Sequence, residues 1–423
     1  MTYSEFRNRL LALSPESECL KFISDRIKQN NYRGRHVSQH NRYDFDQACD
    51  ILYELKCVAK DKKIKIRTRD LSKHPQDMEG TEKYCLFCNT LTTKYNKYTQ
   101  DTVRKNFFVD FARMGLINRY DKKGELIPLT KKVCCQYVAL TERGKILANK
   151  KESRKNKYIA FSKGLDMMTS NLVLDMFNLS DKTDRKITRM EYTYFVSYLG
   201  ESIISTNENT IENNYVSEEK VVALIKDYRS LRDKHNAIDQ LIYEYCSPDN
   251  FDGDKTKKRD IKNWINETEQ IFKLLANTVY FEFLDKYNTL KLRVDRRMNI
   301  DGEQRLTRST EEKNRYFINH GIDKCETKTL HHIVPLDLWE DWEDFKLLDD
   351  WRNMIYIESY NHEYIHSLST RYMKLSICDE SFVLSDFDDN NINFTNNNEV
   401  IFSKDNSSIM TVYNKELLLD RKL

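Results

Sequence analysis

Residues 328–367 read KTLHHIVPLDLWEDWEDFKLLDDWRNMIYIESYNHEYIHS, and five of the chain's nine histidines lie between 320 and 366. His331 and His332 precede Ile333-Val334-Pro335, Asn353 opens Asn353-Met354-Ile355-Tyr356-Ile357, and His362 and His366 close the set. His362 and His366 are four apart. On a helix both imidazoles then project from one face and can bind one metal ion. A histidine on a neighbouring strand could complete three ligands and leave a coordination position for a substrate.

These residues, in this order, resemble the HNH or ββα-metal nucleases, and most closely the colicin-type branch. That branch has a doubled His, then Asn, eight residues, His, three residues and His. Asn353, His362 and His366 keep both tail intervals. The resemblance covers residues 320–375. It implies that His331, His362 and His366 hold a divalent metal and that His332 is the general base for an attacking water. It also implies that Asn353 braces the loop carrying His332. A neutral imidazole suits the base at cellular pH. Mg²⁺ is the favoured ion, and all-His ligation also admits Mn²⁺, Ni²⁺ or Zn²⁺. The implied products carry a 5′-phosphate and a 3′-hydroxyl. Between His332 and Asn353 lie 20 residues, with seven acids among Asp337–Asp350 and with Trp339, Trp342 and Trp351. They read as a solvated insertion with aromatic anchors.

The string His362-Glu363-Tyr364-Ile365-His366 also satisfies the H-E-x-x-H pattern of zinc proteases, with Glu363 as base. That reading needs a third ligand downstream, where Ser369 replaces the glycine of the extended motif. It also leaves His331, His332 and Asn353 without a task. Cys85-x-x-Cys88 with the adjacent Cys134 and Cys135 is an awkward zinc set, and His36 and His40 lack a third partner.

Outward from this stretch the charge divides. Residues 1–160 carry a net +15 and residues 161–423 a net −12, within a total of +3. A basic half is suited to a polyanion, with binding that weakens steeply as salt rises. It includes a Lys60–Lys73 run and a helical stripe of Val103, Phe107, Phe111 and Met114, with Arg104, Lys105 and Arg113 beside it. Gly115, a turn at Asp121–Gly124, a strand at Tyr137–Thr141 and a return helix complete a winged-helix-like outline over 92–148. Lys150–Lys157 reads as a hinge. A second helical unit is expected from Ile187, Met190, Tyr194 and Tyr198, beside Arg185, Lys186 and Arg189. These six basic residues are the candidate DNA contacts. Two long amphipathic helices follow, the first capped at Ser217 and striped to Tyr245, the second from Ile261 to Leu275, forming a hairpin spacer. A break at 247–256 separates them, and an Asp/Asn-rich tail at 386–398 reads as loops between short strands.

The fold class expected is α+β, mostly helical. A basic recognition domain spans 1–157, a helical second recognition or spacer domain 158–300, and an HNH nuclease domain 301–423. Ten glycines, no two closer than nine residues, exclude a phosphate-cradling loop, and with it nucleotide-dependent kinases and Rossmann dehydrogenases. No apolar run suggests a membrane span or signal peptide, and ten scattered cysteines suit a reducing cytoplasm. The layout is similar to a type II restriction endonuclease, particularly type IIS, whose recognition and cleavage domains are separate. Its partner is double-stranded DNA. The chain is expected to be a monomer in solution, with two nuclease domains pairing transiently on the duplex. Alternatives are a homing or phage-type HNH endonuclease, the zinc protease, and a non-catalytic DNA-binding regulator.

Overall fold

The computed structural model describes residues 1–28, 34–35, 37, 43–66, 80–96, 100–129, 134–200, 202–207, 210–247, 260–285, 288–293, 309–336, 339, 341–367, 374–378 and 381–385. It is mostly helical with small antiparallel sheets, in keeping with an α+β class. His36, His40, Lys73 and most of the 247–256 break lie outside the described residues. Two compact units are present, 1–150 with 160–292, and 151–159 with 293–423. The boundary read after residue 157 falls within a continuous helix, Arg154–Thr169. The hinge read at 150–157 thus gives way to helix from Arg154 onward.

In the first unit the stripe Val103, Phe107, Phe111 and Met114 is fully buried. The helix that carries it opens into a wider π-turn at Val103–Phe107 before continuing as Phe108–Arg113. One extra residue in that turn shifts the register, so Phe107, Phe108 and Phe111 all reach the core. Tyr43 meets Phe107 and Phe111 edge-on, with ring centroids 5.7 and 5.4 Å apart. Gly115 takes φ +65 and turns the chain into strand Ile117–Tyr120. That strand pairs antiparallel with Tyr137–Leu140, which Ile64–Lys65 flanks on its other edge. Helix Glu142–Leu147 returns, capped by the Thr141 hydroxyl, which accepts from the Gly144 N–H at 3.0 Å.

At Gly144 this return helix lies against backbone, because an added Cβ would sit 1.9 Å from the Leu116 carbonyl oxygen. Gly144→Ala is therefore expected to cost about 1–3 kcal/mol, as overpacking does, or to prevent folding. A urea midpoint equal to that of the parent protein would refute this packing.

Three expectations for this unit need correction. Ile187 belongs to a strand, Lys186–Thr188, paired with Thr289–Leu292, and not to a helix running to Tyr198. Asp184 and Arg185 both have positive φ, which breaks the preceding helix. A new helix starts only at Arg189, behind a Thr188–Glu191 capping box. The Ser217 cap is present, but its helix ends at Ser230, and a 3₁₀ turn at Arg232–Lys234 precedes a separate helix, His235–Tyr245. Five polar residues, 232–236, interrupt the apolar stripe there. His235 stacks on Tyr228 with centroids 4.0 Å apart, holding the bend. Nor do these helices stand apart as a spacer. Tyr245 stacks on Phe6 of the amino-terminal helix, while Phe272 and Thr268 of helix Ile261–Ala276 meet Tyr192 and Thr193.

In the second unit, helix Thr310–His320 is capped by Ser309 and closed by Gly321 at φ +62. Strands Lys328–His332 and Met354–Glu358 pair antiparallel, with His331 opposite Ile355 and His332 opposite Met354. Helix Trp342–Leu348 lies between them in sequence, and helix Ser359–Ser367 follows the second strand directly. A hairpin, Lys374–Cys378 with Ser381–Ser385, comes next, and the tail read at 386–398 lies outside the described residues. Buried Tyr316 of the helix packs with Met354 and Tyr356 of the second strand in one core cluster. The Tyr316 hydroxyl accepts from the Tyr356 N–H at 3.0 Å.

Among the described residues, the insertion between His332 and Asn353 is solvated only in part. Asp344, Asp349 and Asp350 are buried, and each faces cations from elsewhere in the same unit. Lys155 lies 2.8 Å from Asp341 and 3.7 Å from Asp344, and Arg154 lies 3.7 Å from Asp350. Burial raises the Asp350 carboxyl, but Arg352 and Arg154 outweigh it and hold the group at about 2. Burial pulls buried Lys346 down to about 8, with the Arg293 charge acting in the same direction and Glu312 opposing. Buried acids need such partners, because an unpaired charge away from water is far costlier than an exposed one.

Candidate metal centre

Helix Ser359–Ser367 buries Asn361 and Ile365 and turns His362 and His366 to one side. Four residues on a 3.6-residue turn are a rotation of about 40°, so the two rings sit one above the other. Their Nε2 atoms are 3.2 Å apart. His331, at the end of the first strand, brings its ring to 5.1 Å from His362 and 5.2 Å from His366, centroid to centroid. One nitrogen from each of the three lies within 4.8 Å of the others, and among the described residues no other group of three such side chains comes together this way. Cys85, Cys88, Cys134 and Cys135 do not converge.

The donor set fits a divalent cation. Imidazole ligands at about 2.0–2.1 Å on a tetrahedral ion stand about 3.3 Å from one another. The His362–His366 separation is already of that size. His331 is buried, His362 half-buried and His366 exposed, so the cluster has a closed side and an open side. An open side is what a catalytic ion requires, since a fourth ligand must come and go.

Neighbouring residues on a strand point to opposite faces. His331 faces the helix, whereas His332 carries its Nε2 to 3.4 Å from Asp349 Oδ1, with both residues buried. Nothing in the residue spacing marks Asp349 for this position; only the folded insertion brings it there. Asn353 is fully buried and spans three backbone groups. Its Nδ2 donates to the Val334 carbonyl at 2.9 Å and to the Leu348 carbonyl at 2.7 Å, and its Oδ1 accepts from the Val334 N–H at 3.0 Å. Its own carbonyl accepts from the Ile333 N–H at 2.8 Å. Asn353 thus ties the turn after His332 to the end of helix Trp342–Leu348.

Asn353→Ala strands those three groups away from water, at about 1–3 kcal/mol for each left unsatisfied. The expected result is a loss of several kcal/mol in urea unfolding of the second unit. Stability within experimental error of the parent would mean that water replaces the amide there.

The proposed DNA contacts are less uniform. Lys105 and Arg113 are exposed and Arg104 is half-buried, all off the buried stripe. Arg185, Lys186 and Arg189 do not line one helix face. Lys186 sits in a strand opposite Lys291, and Arg189 lies 3.5 Å from Glu269.

Two family models match the chain. One, described as the type IIS restriction enzyme MboII middle domain, matches residues 44–152. The other, the type IIS restriction enzyme MboII C-terminal domain, matches residues 309–421. The first segment contains the helix, hairpin and return helix around Gly115, and the second contains all the histidines of the cluster and Asn353. No curated protein matches the chain. Among the described residues no helix is long and apolar enough to cross a membrane.

Proposed function

We infer that a chain carrying both of these restriction-enzyme domains is a type IIS-like restriction endonuclease, cutting double-stranded DNA with an HNH-type site in its second unit. The observation that carries this reading is the convergence of His331, His362 and His366 on one point, with His332 next in the chain to His331 and Asn353 bracing the turn that follows. The residues matched by the two models make a DNA substrate the natural one.

In this reading a divalent ion held by His331, His362 and His366, Mg²⁺ first with Mn²⁺, Ni²⁺ or Zn²⁺ as alternatives, supplies positive charge that offsets charge growing on the phosphate and leaving oxygen. His332 accepts a proton from water as the water oxygen bonds to phosphorus. The bond from phosphorus to the 3′ oxygen breaks, and that oxygen takes a proton from solvent. The products are a 5′-phosphate and a 3′-hydroxyl. Asn353 keeps the turn after His332 rigid, so the base holds its place through the step. One site cuts one strand per engagement, so duplex cleavage proceeds by successive nicks or by transient pairing of two nuclease units. The first unit supplies recognition, through a winged-helix-like region at 92–148 whose exposed Lys105 and Arg113 contact DNA.

A zinc protease built on residues 362–366 would draw its third ligand from downstream. Here the third imidazole comes from His331, upstream on a strand, and Glu363 points to solvent. Digestion of a defined plasmid with and without divalent metal, followed by mapping of the ends, tests the assignment. Metal-dependent cuts at fixed positions, carrying 5′-phosphates, are expected. Intact plasmid across Mg²⁺, Mn²⁺, Ni²⁺ and Zn²⁺ would overturn it.

A further inference from the structure

We propose that Asp349 is a positioning residue for His332, holding its imidazole in one orientation and one tautomer; this rests on the assignment of His332 as general base. Asp349 is fully buried, and its two oxygens face different neighbours. Oδ2 accepts the Ser309 N–H at 2.8 Å and lies 3.6 Å from Arg293 Nη1, so it is anchored to the cap of helix Thr310–His320. Oδ1 is turned toward His332 Nε2 at 3.4 Å. A carboxylate can only accept, so the imidazole nitrogen facing it is the one that carries hydrogen. The two atoms face each other across 3.4 Å without a closed hydrogen bond, so on this proposal Asp349 favours the proton on Nε2 and leaves Nδ1 as the nitrogen to take hydrogen from water. A partner on one ring nitrogen sets what the other can do, and a base with the wrong tautomer is inert however well it is placed.

The sequence context agrees with such a role. Asp349 ends the Trp342–Leu348 helix, and Asn353 accepts and donates across the same turn, with Leu348 as one of its partners. The insertion therefore has a task beyond filling space. It delivers an anchored carboxylate behind the base, while Asn353 holds the backbone on the other side.

Asp349→Asn is the decisive variant, since the amide keeps the volume and an oxygen for the Ser309 N–H but loses the full negative charge. Its kcat for plasmid cleavage is expected to fall about 100-fold, as loss of an outer-shell partner of a site histidine does, with KM for DNA and Mn²⁺ affinity by calorimetry unchanged. A merely structural residue would move KM, metal affinity and unfolding together. A second measurement needs no variant: the side-chain ¹⁵N shifts of His332 in the parent protein should show hydrogen on Nε2. Hydrogen on Nδ1 in the neutral ring overturns the proposal, as does Asp349→Asn cleaving at the parent rate. Cleavage lost in His332→Ala but untouched in Asp349→Asn removes only the role of Asp349. Cleavage that survives His332→Ala removes the assignment of the base itself, and this proposal with it.

Discussion

His332→Ala should lower kcat for DNA cleavage by about 10²–10⁴-fold, the usual contribution of a positioned general base. Binding to the recognition sequence should be unaffected, because His332 lies in the second unit, remote in sequence from the basic segment proposed to read DNA. The ion site should also survive, since His332 points away from the trio toward Asp349. Single-turnover cleavage alongside gel-shift titration separates these effects. A variant that binds and cuts like the parent would leave the nuclease without its base. One that neither binds DNA nor folds would show a structural histidine instead.

The second large effect concerns the ion. His362→Ala removes one of three imidazoles and leaves His331 and His366, too few to hold a divalent cation firmly against water. Stoichiometric Mn²⁺ binding by calorimetry should disappear, and cleavage should fall by at least about 100-fold, exceeding the loss typical of outer-shell changes. Chelation of the parent protein should have the same consequence, reversed by adding metal. His366→Ala should behave alike, because its nitrogen belongs to the same group of three. Equal Mn²⁺ affinity in parent and variant would dissociate these histidines from metal binding.

Much of the site was legible from residue type and interval. Helical periodicity alone puts His362 and His366 on one face, whatever the rest of the fold does, because the geometry is local to a single turn. Burial of Val103, Phe107, Phe111 and Met114 followed for the same reason, and so did the Ser217 cap. Periodicity misled where a strand happened to keep helical spacing. Ile187 is three residues from Met190, yet two positive-φ residues before it end one helix, and Thr188 caps the next. Residues 217–245 looked like one helix because the stripe resumes after 232–236, and the 3₁₀ turn with the His235–Tyr228 contact shows the bend.

What the chain determined by itself was the chemistry on offer: a doubled histidine, an asparagine and a helical histidine pair, beside a basic amino-terminal stretch suited to a polyanion. The tertiary structure alone decided which of them meet and what stands behind them. His331 reaches the helix pair through strand pairing across a 20-residue insertion, a long-range contact that no local interval encodes. The acids of that insertion read as solvated because charge normally seeks water. Asp344, Asp349 and Asp350 are buried because Arg154, Lys155 and Arg293 converge on them in the second unit beside the local Arg352, and counter-charges gathered from distant positions exist only once the chain has folded.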